Sequence, residues 1–257
     1  MKSTFANQQI DAVYVLSVKK FTDRIAHIEK ELTKQSIAFE FIFEHDLGSI
    51  DPILEEKTFG SHPKIEPPQR SLVLKHISAW KKCVENKYRN ILVFEDDVIL
   101  HQSFGQEIKL IMDDVAKKEK SYLIFLGGAD TRVPKEYFLS KEKIIVNPIA
   151  TADGYITDYD ACQKRLAWLE DNHATLPADH LLKAIDQQKD ITQYWSYKPL
   201  VQQGSVFGMF TSTLDGKRKQ QSNLYNLLRY RFKIFTRRTL PGIYYRFLNL
   251  ITGSRAK

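Results

Sequence analysis

The stretch Ile91-Leu92-Val93-Phe94-Glu95-Asp96-Asp97-Val98-Ile99-Leu100 constrains the fold more than any other part of the chain. Its first four residues are all apolar, and three are β-branched or aromatic. Such a run reads as a strand covered on both faces, of the kind found inside a parallel sheet. Three carboxylates follow without a break. In open α/β sheets, ligands sit beyond the carboxyl ends of the strands, which is where these acids fall. Adjacent carboxylates repel, and burying them unpaired is costly. A divalent cation with oxygen ligands removes that penalty, and Mg²⁺ or Mn²⁺ is commonly shared with substrate phosphates. The two-residue period of a strand points Glu95 and Asp97 to one side and Asp96 to the other. Glu95-x-Asp97 is therefore the expected metal and diphosphate pair, with Asp96 hydrogen-bonding elsewhere. A solvated acidic turn is the blander alternative.

Around that stretch, strand-like and helical runs alternate through the first two hundred residues, so the expected class is α/β. Residues 11–18 read as a first strand, interrupted by Ser17. A helix follows over about 21–35, and residues 38–43 form a second strand. This unit carries neither GxGxxG nor GKS/T, so no dinucleotide fingerprint or P-loop is expected. Residues 44–70, with Pro52, Gly60, Pro63, Pro67 and Pro68, read as a long loop. A helix over 71–87 carries His76 on or near its apolar side, where a satisfied core histidine is the simpler reading. Further runs predict a helix at 103–118, strands at 122–126, 143–146 and 151–157, a helix at 159–169, and another opening at Asp179. Gly127-Gly128 permits close backbone approach to a ligand or merely a turn. Trp195 and Tyr197 suit either sugar stacking or an aromatic edge strand.

Two lone cysteines, Cys83 and Cys162, lie in helical patterns without CxxC spacing, which suggests buried free thiols in a reducing compartment. The first nine residues lack the apolar block of a signal peptide, and no run of 18 apolar residues occurs. A cytoplasmic protein is the resulting expectation.

Charge divides the chain. Residues 216–257 hold eleven Lys and Arg and no acid, leaving 27 basic against 31 acidic residues in 1–215. In that tail Leu240, Ile243, Tyr244, Phe247, Leu248 and Ile251 recur at helical spacing, with Pro241 near the start. Leu224, Leu227, Leu228, Phe232 and Phe235 repeat the pattern upstream. A basic amphipathic pair of helices is expected to lie on an anionic membrane surface. Nucleic acid is the disfavoured partner, because phosphates do not need so regular an apolar face. Packing of the tail on the body stays open.

Several of these pieces occur together in one known order. Arg24 after the first strand, His76-Ile77-Ser78-Ala79-Trp80, the hydrophobic-flanked Glu95-Asp96-Asp97, Ala152-Asp153-Gly154-Tyr155-Ile156, Pro177-Ala178-Asp179 and Pro199-Leu200-Val201-Gln202-Gln203 resemble glycosyltransferase family 25. That group includes the bacterial lipooligosaccharide galactosyltransferases. The resemblance covers roughly residues 10–206. It departs at Val15-Leu16, at Arg24 without its paired arginines, and at Gln69-Arg70 and Lys75-His76.

The resemblance implies a GT-A type domain over 1–215, a UDP-sugar donor (most often UDP-galactose), Mn²⁺ or Mg²⁺, and inversion at the anomeric carbon. A lipooligosaccharide acceptor at the inner membrane would be the partner. Asp97 and Glu95 are then the expected metal ligands. Glu95, Asp96, Arg24, Ser17 and His76 fall to the donor, and Asp179 is the candidate general base, although its place at a helix start is also explained by the helix dipole. Asp153 and Asp130 are the reserves. A receiver-like Mg²⁺-binding domain and a non-enzymatic membrane or nucleic-acid module are the rival readings.

Overall fold

The computed structural model describes residues 10–118, 120–128, 131–134, 138, 142–149, 151–196, 198–210 and 223–252. Seven strands form the main sheet: β1 (Ala12–Leu16), β2 (Glu40–Ile42), β3 (Asn90–Glu95), β5 (Tyr122–Phe125), β6 (Ile144–Val146), β7 (Gly154–Asp158) and β8 (Thr192–Ser196). Their spatial order is β2-β1-β3-β7-β5-β8-β6, and β4 (Val98–Leu100) pairs with β9 (Val201–Gln203) in a separate ribbon. Five strands of the sheet run one way. β7, wedged between β3 and β5, and β6 at the edge run the other. The fold is α/β with a mostly parallel sheet, as the alternating pattern predicts.

Side-chain alternation makes two cores. Tyr14, Leu16, Ile91, Val93, Phe125, Tyr155 and Trp195 face one side. There they meet α3 (Pro67–Glu85), α5 (Tyr159–Asp171) and α6 (Ala178–Gln188). Val13, Val15, Leu92, Phe94 and Ile156 face the other. There they meet α1 (Thr22–Lys34) and α4 (Phe104–Val115). β3 is thus buried on both faces, and its last residue, Glu95, emerges where the cover ends. Cys83 and Cys162 are buried free thiols in the first core.

Three expectations change. Residues 44–70 are not an uninterrupted loop, because α2 occupies Pro52–Phe59. Its start carries an Asp51 N-cap, bonded to the Ile53 amide, and Pro52 at the first helical position. The helix is short, and its apolar residues do not recur on one face, so periodicity could not reveal it. α3 begins at Pro67, four residues before the expected start, helped by a reciprocal Glu66–Gln69 capping pair. β8 lies between β5 and β6, so the aromatic strand is not an edge strand. Trp195 is fully buried and donates its indole N–H to the Gly127 carbonyl, which removes it from stacking on a sugar. Tyr197 lies outside the described residues.

In the tail, α7 (Asn223–Ile234) passes through a π-helical turn at Phe235–Thr239 into α8 (Leu240–Thr252). The tail touches the body through Tyr230 on Phe207, Tyr245 on Phe138 and Arg238 on Trp195. Leu224, Leu228, Phe232, Ile243, Phe247 and Ile251 remain exposed. Among the described residues, no helix is long and apolar enough to cross a membrane. The expected division at residue 215, Asp130 and residues 216–222 and 253–257 also lie outside the described residues.

Candidate active site

The site grows out of the end of β3. The Glu95 amide donates to the Asp153 carbonyl at 3.0 Å, the last rung before the chains separate. Asp96 and Asp97 form a turn, after which β4 leaves the sheet to pair with β9. The Gly204 amide donates to the Asp97 carbonyl at 2.6 Å, and a Cβ on Gly204 would lie 2.8 Å from that oxygen. A residue without a side chain is needed for so close an approach.

Asp96 turns toward α1. It accepts from the Ser17 hydroxyl at 2.7 Å and from Arg24 Nη1 at 2.8 Å. The Arg24 guanidinium also lies 5.3 Å from the Phe21 ring and 5.4 Å from the Phe210 ring. Ser17, Arg24 and Asp96 are therefore one linked group, in which the acid is 4% exposed.

Asp97 has the opposite character. It is 3% exposed, yet its Oδ1 has no hydrogen-bond partner among the described residues. Its Oδ2 receives only a long contact of 3.4 Å from the Ser205 amide. Asp153, just ahead of β7, accepts from the Thr151 hydroxyl. Gly127 presses against it: an added Cβ there would overlap the Asp153 carboxylate. Asp179 stands in the first turn of α6, half-buried, with its Oδ1 accepting from the His180 amide at 2.8 Å.

These acids act on one another. Burial, and then the charges of Asp97, Asp153, Asp96 and Asp179, push the Glu95 carboxyl well above the usual carboxylate range. Burial raises Asp153 to about 6, with Asp97 adding to it and the Thr151 hydroxyl opposing it. Burial also raises Asp96, although the Arg24 charge and the Ser17 hydrogen bond pull the other way. Four elements thus deliver mutually repelling carboxylates to one corner beyond the sheet.

That corner lies inside the region that comparison with known proteins identifies. Residues 10–182 match the family model described as Glycosyltransferase family 25 (LPS biosynthesis protein). The chain belongs to glycosyltransferase family 25. It is similar to the lipooligosaccharide biosynthesis protein lic2B of Haemophilus influenzae, 28% identical over 189 residues that cover 67% of each chain. It is similar to the lacto-N-neotetraose biosynthesis glycosyltransferase LgtB of Neisseria meningitidis serogroup B, 24% identical over 62% of this chain and 54% of that one. It is also similar to procollagen galactosyltransferase 2 of Mus musculus, 22% identical over 73% of this chain and only 32% of that one. The receiver-like reading falls with this membership.

The donor set of this family 25 glycosyltransferase suits a hard cation. Glu95 and Asp97 offer oxygen, and the buried Asp97 Oδ1 lacks a partner. Among the described residues no three His, Cys, Asp or Glu stand close enough to hold an ion unaided. Ligands from outside the protein, such as phosphate oxygens, would have to complete the sphere.

His76 lies elsewhere. It is 1% exposed, its Nδ1 is 2.9 Å from the Tyr155 hydroxyl, and Trp80 donates to that same hydroxyl at 3.1 Å. Burial and the Arg165 charge lower its pKa to about 3, so it is neutral. A side chain so placed orders the core under the site, and its Nε2 has no hydrogen-bond partner among the described residues.

Lys75, by contrast, was not singled out from the sequence. It is 2% exposed, and its ammonium donates to the Glu44 carbonyl and to Asp46 Oδ1, both at 2.7 Å. Burial lowers its pKa, while Asp46 and, more weakly, Asp96 oppose the shift. The signal was a lysine among the apolar positions Val73, Leu74 and Ile77 of α3, where an unpaired charge is untenable.

Proposed function

We propose that this glycosyltransferase moves a hexose, galactose first among candidates, from a UDP-sugar to a lipooligosaccharide acceptor, with inversion, on a GT-A type fold. The observation that carries the reading is the buried, unpartnered Asp97 Oδ1 beside the crowded Glu95 and Asp153 carboxyls. Such a cluster is costly by itself and becomes favourable with a cation and a diphosphate. Asp97 and Glu95 would hold Mn²⁺ or Mg²⁺. When bound, the metal supplies charge neutralisation for the departing diphosphate.

The chain's own residues do the rest. Asp96 is fixed by Ser17 and Arg24, so the turn that presents its neighbours cannot swing. Asp179 is the better candidate for the base, because it is half-buried rather than sealed and can meet an acceptor hydroxyl. Asp153, at 3% exposure and already engaged by Thr151, is better placed to orient than to abstract. Hydrolysis measured across a panel of UDP-sugars, with and without Mn²⁺, tests this. One UDP-hexose is expected to be turned over, and only with the metal. Turnover of none, or equal turnover in chelator, would refute the proposal.

The tail would bring the enzyme to its membrane-bound acceptor. The exposed side chains of Leu228, Phe232, Ile243, Phe247 and Ile251 accompany Arg229, Arg231 and Arg246, and each basic residue near anionic lipid contributes about 1 kcal/mol. Phe232→Asp with Phe247→Asp is expected to shift the protein from the pellet to the supernatant in sedimentation with phosphatidylglycerol vesicles, while transfer to a soluble acceptor persists. Unchanged sedimentation would remove the tail from this role. The localisation that follows is peripheral, on the cytoplasmic face of the inner membrane.

A further inference from the structure

Ser71, Lys75 and Ser78 stand at i, i+4 and i+7 of α3, so they share one side of that helix. All three reach the turn that follows β2. The Ser71 hydroxyl donates to the His45 carbonyl at 2.6 Å. The Lys75 ammonium donates to the Glu44 carbonyl and to Asp46 Oδ1, both at 2.7 Å. Ser78 Oγ lies 3.1 Å from His45 Nε2. One helix thus holds three successive residues of the turn. His45 sits at φ 67°, in the left-handed region that residues other than glycine adopt at a cost, so the surrounding contacts have to impose it. Lys75 is also a position where the chain departs from the family resemblance.

The turn stands beyond the same end of the sheet as the acids. β2, β1 and β3 are adjacent and parallel, with Leu16 opposite Ile42 on one side and Glu95 on the other. Two strand spacings, about 10 Å, separate β2 from β3. A nucleoside diphosphate covers that reach. Asp46 Oδ2 accepts from the Lys19 amide at 3.0 Å. Ser17, two residues earlier, donates its hydroxyl to Asp96 at 2.7 Å and its amide to the Ile42 carbonyl at 3.3 Å. From Lys75 to Asp96 the ends of the three strands form one tied row. Asp153, ahead of β7, and Asp179, on the helix packed against β8, lie on the other side of β3. Inverting transfer puts the base and the leaving group on opposite sides of the anomeric carbon. A base on the β7 side therefore directs the nucleoside diphosphate toward β1 and β2.

We propose that Lys75 is a positioning residue for the donor, resting on the UDP-sugar reading above. It holds the 44–46 turn as the wall against which the nucleoside lies, and it touches the turn rather than the nucleotide. Lys75 is 2% exposed whereas Glu44 is open to solvent, so the turn and not the ammonium offers the surface. A buried lysine–aspartate pair adds little net stability, and its effect here is to fix a geometry. The β1–β2 ladder already joins the strands, so stability alone leaves the pinning of three residues past its end unexplained.

Calorimetry of UDP binding to the full chain in Mn²⁺ tests this with two variants of opposite charge change. Lys75→Met and Asp46→Asn should each weaken UDP about tenfold. The double variant should be no weaker than either single one, because both changes cut the same tie. Inorganic pyrophosphate, which lacks the nucleoside, should compete equally well against parent and variants. Hydrolysis of the UDP-hexose should show a raised KM with kcat retained. A purely electrostatic Lys75 would move the two single variants in opposite directions. A merely structural one would lower the melting temperature while the folded protein kept its affinity for UDP. Either result, or an equal loss of pyrophosphate binding, overturns the proposal. If Lys75→Met does not fold, Asp46→Asn and Ser71→Ala carry the same test from the turn and from the helix. A parent that binds no UDP refutes the donor reading and this inference with it. A parent that binds UDP no better than its variants refutes the inference alone.

Discussion

Asp97→Asn is expected to lower sugar transfer by about a thousandfold, the scale of losing a main electrostatic contact to a leaving group. The same change should make the metal-free protein more stable, by about 1 kcal/mol. Both effects follow from one arrangement. Asp97 is buried with an unpartnered oxygen, and its charge is among the causes that raise Glu95 and Asp153. Neutralising it removes repulsion from the native state and a metal ligand from the site. Thermal unfolding in chelator, set beside turnover with Mn²⁺, checks the pair of outcomes. A variant that is less stable as well as inactive would indicate a structural acid.

The pH dependence has a definite sign. A folded pKa of about 6 for Asp153, against an ordinary 3.8, means that the native state holds the proton longer than the unfolded chain. Stability in chelator therefore falls as pH rises through that interval. Glu95, raised for related reasons, extends the decline upward. In Asp97→Asn the decline should be shallower, because one cause of both shifts is gone.

Arg165→Leu is expected to destabilise the fold by about 3–5 kcal/mol, the largest stability loss anticipated here. Arg165 and Asp186 are both fully buried. The guanidinium donates Nε and Nη2 to the two Asp186 oxygens at 2.7 and 2.9 Å, and Nη1 to the Thr157 hydroxyl at 2.8 Å. Gln193 donates to the same carboxylate at 2.8 Å, and the guanidinium lies 5.4 Å from the Trp80 ring. Removing only the arginine leaves a buried, uncompensated anion. Arg165→Leu with Asp186→Leu should recover most of the loss, as read from denaturant midpoints. This pair ties α5, α6, β7 and β8 together; α6 carries Asp179, and Asp153 lies just ahead of β7. A double variant as unstable as the single would mean that the cost comes from lost packing.

What could be read from the chain alone has a physical pattern. The Ile91–Phe94 run located β3, and the two-residue period set Asp96 apart from Glu95 and Asp97, because both depend only on neighbouring residues. Arg24 as its ion-pair partner lies 72 positions away and was reachable only through family likeness. The reversal of β7 was not legible, since a strand buried on both faces looks alike in either direction. Its direction brings Asp153 to the end of β3, and Gly127 and Gly204 matter because of the atoms they approach, which local spacing does not record. Lys75 and His76 show the same limit. They are adjacent on one helix, yet one is an ion-paired ammonium beside the site and the other a neutral core residue. The tail's amphipathic pattern was plain. Its contacts with Phe138, Phe207 and Trp195 come from tertiary packing, which local spacing does not record.

The central claim concerns acids that need a cation and a diphosphate to coexist. Calorimetric titration of UDP into the full chain, in Mn²⁺ and again in chelator, tests it most directly. The account predicts binding at least about tenfold tighter with the metal, and no such gain in Asp97→Asn. Equal UDP affinity in both buffers, or a metal gain that survives Asp97→Asn, would contradict it.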